Sequence, residues 1–335
     1  MPIAQFTAFY PSRPFWAGSR VNFADQSCEG WFYDQMVEEV FSSETDTHTI
    51  KVCRDGRIML RVEALEQELD GHVGIRKTVK RWGEYLDCLN SFYLLLDSST
   101  VEIAKLGFFN LHEITNRDAF RVRYEEGKCV GENIASESIA ATFQMGRYSS
   151  SYSPRVPIEF DPRITMRQVI SVQVIEHASN AFGKIVASPG LEKTLALFAK
   201  SLSEYKVGNY ETSIVLSWFI IEVAMRRLWR MHIDNVNSKL PGGRMRINRK
   251  RRDLLTGRDF TTSLVSQLLE LWGALSYGLF EDIDTVRGYR NKVIHGVDFS
   301  AGPGECQLSL RTAQEMIDRL WGLRFTPNMS YSVGL

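Results

Sequence analysis

The chain carries no net charge: its 335 residues hold 40 Lys and Arg against 40 Asp and Glu. A chain-wide field that would gather nucleic acid or an acidic membrane is therefore absent, and any such role must come from local asymmetry. Cysteine is sparse. Cys28, Cys53, Cys88, Cys129 and Cys306 are odd in number, widely spaced and never in a C-x-x-C pair, which excludes a disulfide framework or zinc cluster and fits reduced thiols in the cytoplasm. No apolar run approaches the roughly 20 residues of a membrane span. The N-terminal MPIAQFTAFYPSRPFW lacks a basic flank followed by an apolar core, so no signal peptide is expected. Phosphate-loop, nucleophile-elbow, zincin and dinucleotide-binding motifs are missing. His48, His72, His112, His177 and His232 stand isolated, without metal-ligand spacing, so neither metal nor cofactor is expected.

What is present is ordinary globular material, 44% hydrophobic and 24% charged, long enough at about 100–200 residues per domain for two domains. Charge is segregated: residues 1–189 hold 20 basic and 25 acidic side chains, and residues 190–335 hold 20 and 15. Residues 1–33 contain nine aromatics broken by Pro, Gly and Ser, read as rings that pack a core or an inter-domain face. TIKVCRDGRIMLRVEA (49–64) reads as two strands joined by a two-residue Asp55-Gly56 turn. Val79, Trp82, Tyr85, Leu86 and Leu89 predict a helix over 76–93, and strand-like stretches follow at 101–109, 119–124 and 139–145. GRYSSSYSPRVP (146–157) reads as a surface loop. These features give an α+β domain over 1–160 and a connecting segment over 161–189.

After Ser188-Pro189-Gly190 the texture changes. Segments 191–205, 210–232, 261–277, 281–295 and 307–323 carry apolar residues three and four apart, which predicts an all-α helical domain over 190–323 and a tail over 324–335. From Ile214 to Met225 only Ser217 and Glu222 are polar. That helix is expected at the bundle centre, with Glu222 needing a buried partner.

Helices ending in R-N-K-V-I-H-G (Arg290 to Gly296), together with an E-x-x-x-R on the long helix (Glu222, Arg226), resemble the HEPN superfamily over about residues 190–323. The hallmark of that family is an Arg, usually followed by a polar residue, with a His a few positions on; Arg290, Asn291 and His295 match it. The resemblance implies a helical bundle and, for many members, a metal-independent ribonuclease of phage defence, abortive infection or toxin–antitoxin pairs. It further implies a homodimer whose two motifs face one substrate, and an antitoxin or regulatory protein as a possible partner.

The residues support a phosphate site independently. Arg287, Arg290 and Lys292 fall within six positions, and the residues three and four away from Arg290 are Val286, Arg287, Val293 and Ile294, so no helical neighbour neutralises its guanidinium. An anion, or the distant Glu222, is expected to do so. His295 supplies a group able to take and give a proton near neutral pH. RNA is the expected substrate, cleaved by attack of a ribose 2′-OH on the adjacent phosphorus.

Five helical residues amount to about 7.5 Å of rise and roughly 140° of rotation, so Arg290 and His295 do not share a face, whereas Asn291 and His295 nearly do. Convergence calls for a helix end at His295, with Gly296 as a left-handed cap, for a second copy, or for both. The bland readings are a His that serves the helix dipole and a Glu222 that pairs with Arg226. Arg244, Arg246, Arg249, Lys250, Arg251 and Arg252 follow Pro241-Gly242-Gly243 on what reads as an exposed loop and would contact the RNA backbone without reading its sequence. The rival function keeps the fold and drops the catalysis: a module binding RNA, a nucleotide or a protein.

Overall fold

The computed structural model describes residues 4–23, 33–67, 74–125, 128–133, 160–296 and 299–330. Two compact units divide the chain, Met1–Ala199 with Phe325–Leu335 and Lys200–Arg324.

The first unit opens with β1 (Ala4–Phe9), β2 (Trp16–Ala17), α1 (Tyr33–Met36), β3 (Glu39–Glu44), β4 (His48–Cys53), β5 (Ile58–Val62) and α2 (Glu63–Gln67). It continues with α3 (Ile75–Ala104), β6 (Phe120–Glu125), β7 (Lys128–Asn133), α4 (Pro162–Thr165), β8 (Val169–Ile170), α5 (Val172–Val186) and the start of α6 (Leu191–Lys206). Six strands form an antiparallel sheet in the order β3-β4-β5-β1-β6-β7, and β2 pairs with β8 in parallel.

The β4–β5 hairpin forms where Asp55-Gly56 signals it, with a longer turn. Val52 faces Ile58, and the Gly56 amide donates to the Cys53 carbonyl at 2.9 Å. The loop is therefore Arg54-Asp55-Gly56, with Gly56 at φ +87°, the left-handed position that a three-residue hairpin needs. Asp55 has a second task that the turn signal does not reveal. It is fully buried, accepts from the Tyr10 hydroxyl at 2.7 Å and from the Arg57 amide at 3.1 Å, and Arg57 Nε donates to the Tyr10 oxygen at 2.9 Å. Burial raises the pKa of the carboxyl, against the pull of Arg57, Tyr10 and Arg167.

Phe6, Phe9, Tyr10, Phe15 and Trp16 are all buried, so these N-terminal rings are core, and Phe23, partly buried, packs against Trp16. The helix expected over 76–93 runs on to Ala104. Leu94, Leu95 and Leu96 are all buried, and enclosure of this kind overrides the strand preference of Val101 and Ile103. The strand expected at 101–109 is thus the end of α3 followed by irregular chain, with Lys105 as a left-handed cap at φ +54°. The stretches 139–145 and 146–157 lie outside the described residues. Residues 161–189, expected as a connector, hold α5, which packs on α3 and on β3 and β4. Phe325 stacks edge-on against Phe198, and the Asn328 amide donates to Asp97 at 2.8 Å. The start of the expected tail therefore belongs to this unit.

The second unit is helical: the end of α6, α7 (Tyr210–Asn235), α8 (Arg249–Leu255), α9 (Thr262–Leu271), α10 (Tyr277–His295) and α11 (Pro303–Trp321). α7 packs against α9, α10 and α11. Small hydroxyls hold its first turns: Ser201 Oγ donates to the Ser213 carbonyl at 2.8 Å and lies 2.9 Å from Ser217 Oγ, and Cys306 Sγ lies 3.0 Å from Ser213 Oγ, all buried. The apolar run from Ile214 is not enclosed all round, because Phe219 and Val223 are exposed. The segment 261–277, expected as one helix, breaks after Leu271, where Gly273 at φ +70° turns the chain into α10. Cys53, Cys88 and Cys306 are buried and in no disulfide, and burial pushes Cys88 and Cys306 up to about 12. Among the described residues no helix is long and apolar enough to cross a membrane.

Candidate nucleic-acid interface

Ser276 caps α10, its Oγ accepting from the Leu279 amide at 3.3 Å. Leu279, Ile283 and Val286 then bury one stripe, and no residue from Arg287 to His295 is buried. The apolar anchor stops one turn before the R-N-K-V-I-H string, so the string lies at the surface of the second unit.

Each predicted residue has a definite setting. Arg287 is neutralised by Asp284 at 2.5 Å, one turn earlier. Arg290 is half-buried; its guanidinium donates to Asn291 Oδ1 at 3.1 Å and has no carboxylate in ion-pair range among the described residues. Asn291 and Lys292 are exposed, and the Lys292 ammonium lies 5.7 Å from the centre of the Phe299 ring. His295 is exposed and ends the helix. The structure does not record a contact between Arg290 and His295, and the unbroken helix keeps them on different faces.

Gly296 corrects one expectation. It is extended, at φ −97° and ψ 119°, and its amide donates to the Lys292 carbonyl at 2.7 Å. A Cβ there would lie 2.6 Å from that oxygen, so close approach, and not a left-handed backbone, calls for glycine. Glu222 stands in the helical pair. It takes Arg226 at 2.6 Å and the Thr262 hydroxyl at 3.2 Å, is partly exposed, and touches neither Arg290 nor His295.

The basic run is only partly a loop. Asn248 Oδ1 accepts from the Arg251 amide at 3.0 Å and starts α8, so Arg249, Lys250, Arg251 and Arg252 are helical, while Arg244 and Arg246 precede it. All six are exposed. Arg252 is paired with Asp234, and Arg251 donates to the Arg246 carbonyl at 3.3 Å. The rest stay available for phosphate.

A further group near the end of α7 escaped the sequence reading: Trp229, His232, Phe260 and Trp272 lie ring against ring. Trp229 Nε1 donates to the Leu255 carbonyl at 2.7 Å. The spacing Arg226, Trp229, Arg230 on one helix face was the available signal; its meeting with Phe260 and Trp272 depends on tertiary packing. Among the described residues no group of three His, Cys, Asp or Glu is placed to hold a metal ion. Comparison with family models, with curated proteins and with solved structures finds no match to this chain.

Proposed function

We propose that the helical unit is a HEPN-type, metal-independent endoribonuclease acting in phage defence, abortive infection or a toxin–antitoxin pair. The observation that carries this reading is Arg290: a guanidinium without a carboxylate partner among the described residues, on the same solvent-facing helix end as His295. His295 takes the proton of a ribose 2′-OH, the oxygen forms a bond to the adjacent phosphorus, and the bond to the 5′ oxygen breaks, that oxygen leaving with a proton from solvent. Arg290 offsets the charge growing on the non-bridging oxygens. The products are a 2′,3′-cyclic phosphate and a 5′-OH end, and DNA, lacking the 2′-OH, is inert. Because the two groups occupy different helix faces, the complete site is composite and needs a second copy. The described cations of α8 hold the RNA backbone.

The test is incubation of labelled RNA in EDTA with wild type, Arg290→Ala and His295→Ala. The reading requires cleavage by wild type and its loss in both variants. The same separation of faces also favours a second reading, a module that binds RNA without cutting it; RNA retention with no product under any condition selects that one.

A further inference from the structure

The second unit holds a cleft of about 650 Å³ lined from the end of α7, from α8 and from the last turns of α9. Hydrogen bonds tie its walls together. The Asn237 side chain accepts from the Ile247 amide at 2.8 Å and donates to the Ile247 carbonyl at 3.1 Å, and the Arg246 amide donates to the Ser238 carbonyl at 2.9 Å. Across the cleft, Trp229 Nε1 donates to the Leu255 carbonyl at 2.7 Å. A site held in this way stands preformed and loses little order when a ligand enters.

The chemistry of the lining is narrow. Ile233 and Ile247 are buried, Leu255 and Leu268 are half-buried, and Val236 is 40% exposed, so aliphatic surface is left to water inside a concavity. The rings are spent on one another: Trp229 stacks on Trp272 at 5.2 Å and on Phe260 at 5.6 Å, and His232 on Trp272 at 4.4 Å. No Ser, Thr, Asn or Gln side chain and no carboxylate lines the cleft. A sugar or a nucleoside would therefore give up hydrogen bonds to water and receive few in return. Fixed charge enters only through Arg246 and Arg251. Neither has a carboxylate partner among the described residues, and Arg251 gives a single N–H to the Arg246 carbonyl at 3.3 Å, which keeps the two residues side by side.

An aliphatic wall selects a hydrocarbon chain, and guanidiniums without acid partners select an anionic head, a carboxylate being a group that matches their planar fork. We infer that this cleft binds a fatty acid, its chain against Ile233, Val236, Ile247, Leu255 and Leu268 and its carboxylate on Arg246 and Arg251. A small inorganic anion leaves the wall uncovered, and a neutral lipid leaves the arginines unmet. The volume lies in the range that small ligands occupy, about 300–1,000 Å³. This inference does not rest on the nuclease reading, because Arg290 and His295 take no part in it. Arg251 also belongs to the α8 cations assigned to the RNA backbone, so the experiment is run without RNA and its failure leaves that reading in place.

The experiment is titration calorimetry on the full chain with dodecanoate below its micelle-forming concentration, with acetate, and with dodecyltrimethylammonium, which carries the same chain on the opposite charge. Dodecanoate should bind in equimolar ratio, acetate should give no signal, and the ammonium should bind at least tenfold more weakly. Val236→Asp, which sets a carboxylate in the wall at an exposed position, and the double variant Arg246→Gln/Arg251→Gln should each lose tenfold or more. Val236→Leu and Arg290→Ala should bind dodecanoate as wild type does. Absence of saturable binding, an ammonium that binds as tightly as dodecanoate, or affinities indifferent to Val236→Asp and the arginine variant would overturn the site. A sedimentation mass of the ligand-free protein that Val236→Asp halves would show the cleft filled by a second copy, and would overturn it too.

Discussion

Asp55→Ala is the perturbation whose size follows most directly from the structure. The substitution removes the acceptor of the Tyr10 hydroxyl at 2.7 Å and of the Arg57 amide at 3.1 Å. The Arg57 guanidinium, whose side chain is fully buried, keeps its bond to the Tyr10 oxygen at 2.9 Å. Removing the acceptor of a buried donor costs about 1–3 kcal/mol, so Asp55→Ala is expected to lose about 2–4 kcal/mol over its two donors. Asp55→Asn retains an oxygen for one of them, so about 1 kcal/mol is expected. Urea denaturation followed by far-UV circular dichroism measures both. An Asp55→Ala loss under about 0.5 kcal/mol, the range of an ordinary surface change, or an Asn variant as damaged as the Ala variant, would refute the lost-acceptor reasoning. Because the network lies in the first unit, Asp55→Asn is expected to leave RNA cleavage by the folded protein intact.

Asp87 lies partly buried near Glu192, Glu84 and Glu113; burial is the main cause that lifts its pKa to about 6, with Lys193 opposing. The native state then binds more protons than the unfolded chain between the ordinary 3.8 and about 6, so stability falls as pH rises through that window and stays lower above it. Asp87→Asn should stabilise the protein above pH 6 by about 1 kcal/mol after screening of this part-exposed group, and change little below the window, in melts across pH. Gly296→Ala forces its Cβ against the Lys292 carbonyl and should cost roughly 1 kcal/mol through the weakened cap bond; by displacing His295 it should slow RNA cleavage tenfold or more, read from rates set beside thermal midpoints. Replacing Arg244, Arg249 and Lys250 by Gln should weaken RNA binding at low salt and flatten its log–log salt dependence by about 2, at roughly 0.7 per lost single-strand phosphate contact.

Periodicity made the helices legible because their apolar faces are local: α7, α10 and α11 lie where three- and four-residue spacing predicts. The β4–β5 hairpin was legible because Asp-Gly between alternating strands has few other uses. The ends of elements were less so. Val101 and Ile103 favour a strand by local preference, and only the burial of Leu94, Leu95 and Leu96 explains why α3 continues. The Arg290, Asn291 and His295 set was visible as a string, but its exposure follows from the apolar stripe ending at Val286. Asp284 was near enough in sequence to be recognised as the partner of Arg287. The Trp229, His232 and Trp272 stack was not legible, since it joins the end of one helix to the turn after another.

The central claim is tested most directly by single-turnover cleavage of an end-labelled RNA in EDTA, comparing wild type with Arg290→Lys, Arg290→Ala and His295→Ala and including an RNA whose one scissile ribose is 2′-deoxy. The account predicts a 2′,3′-cyclic phosphate product from wild type, no cut at the deoxy position, loss of at least a hundredfold in both alanine variants and partial activity in Arg290→Lys. Cleavage of the deoxy position, or unchanged rates in Arg290→Ala and His295→Ala, would contradict it.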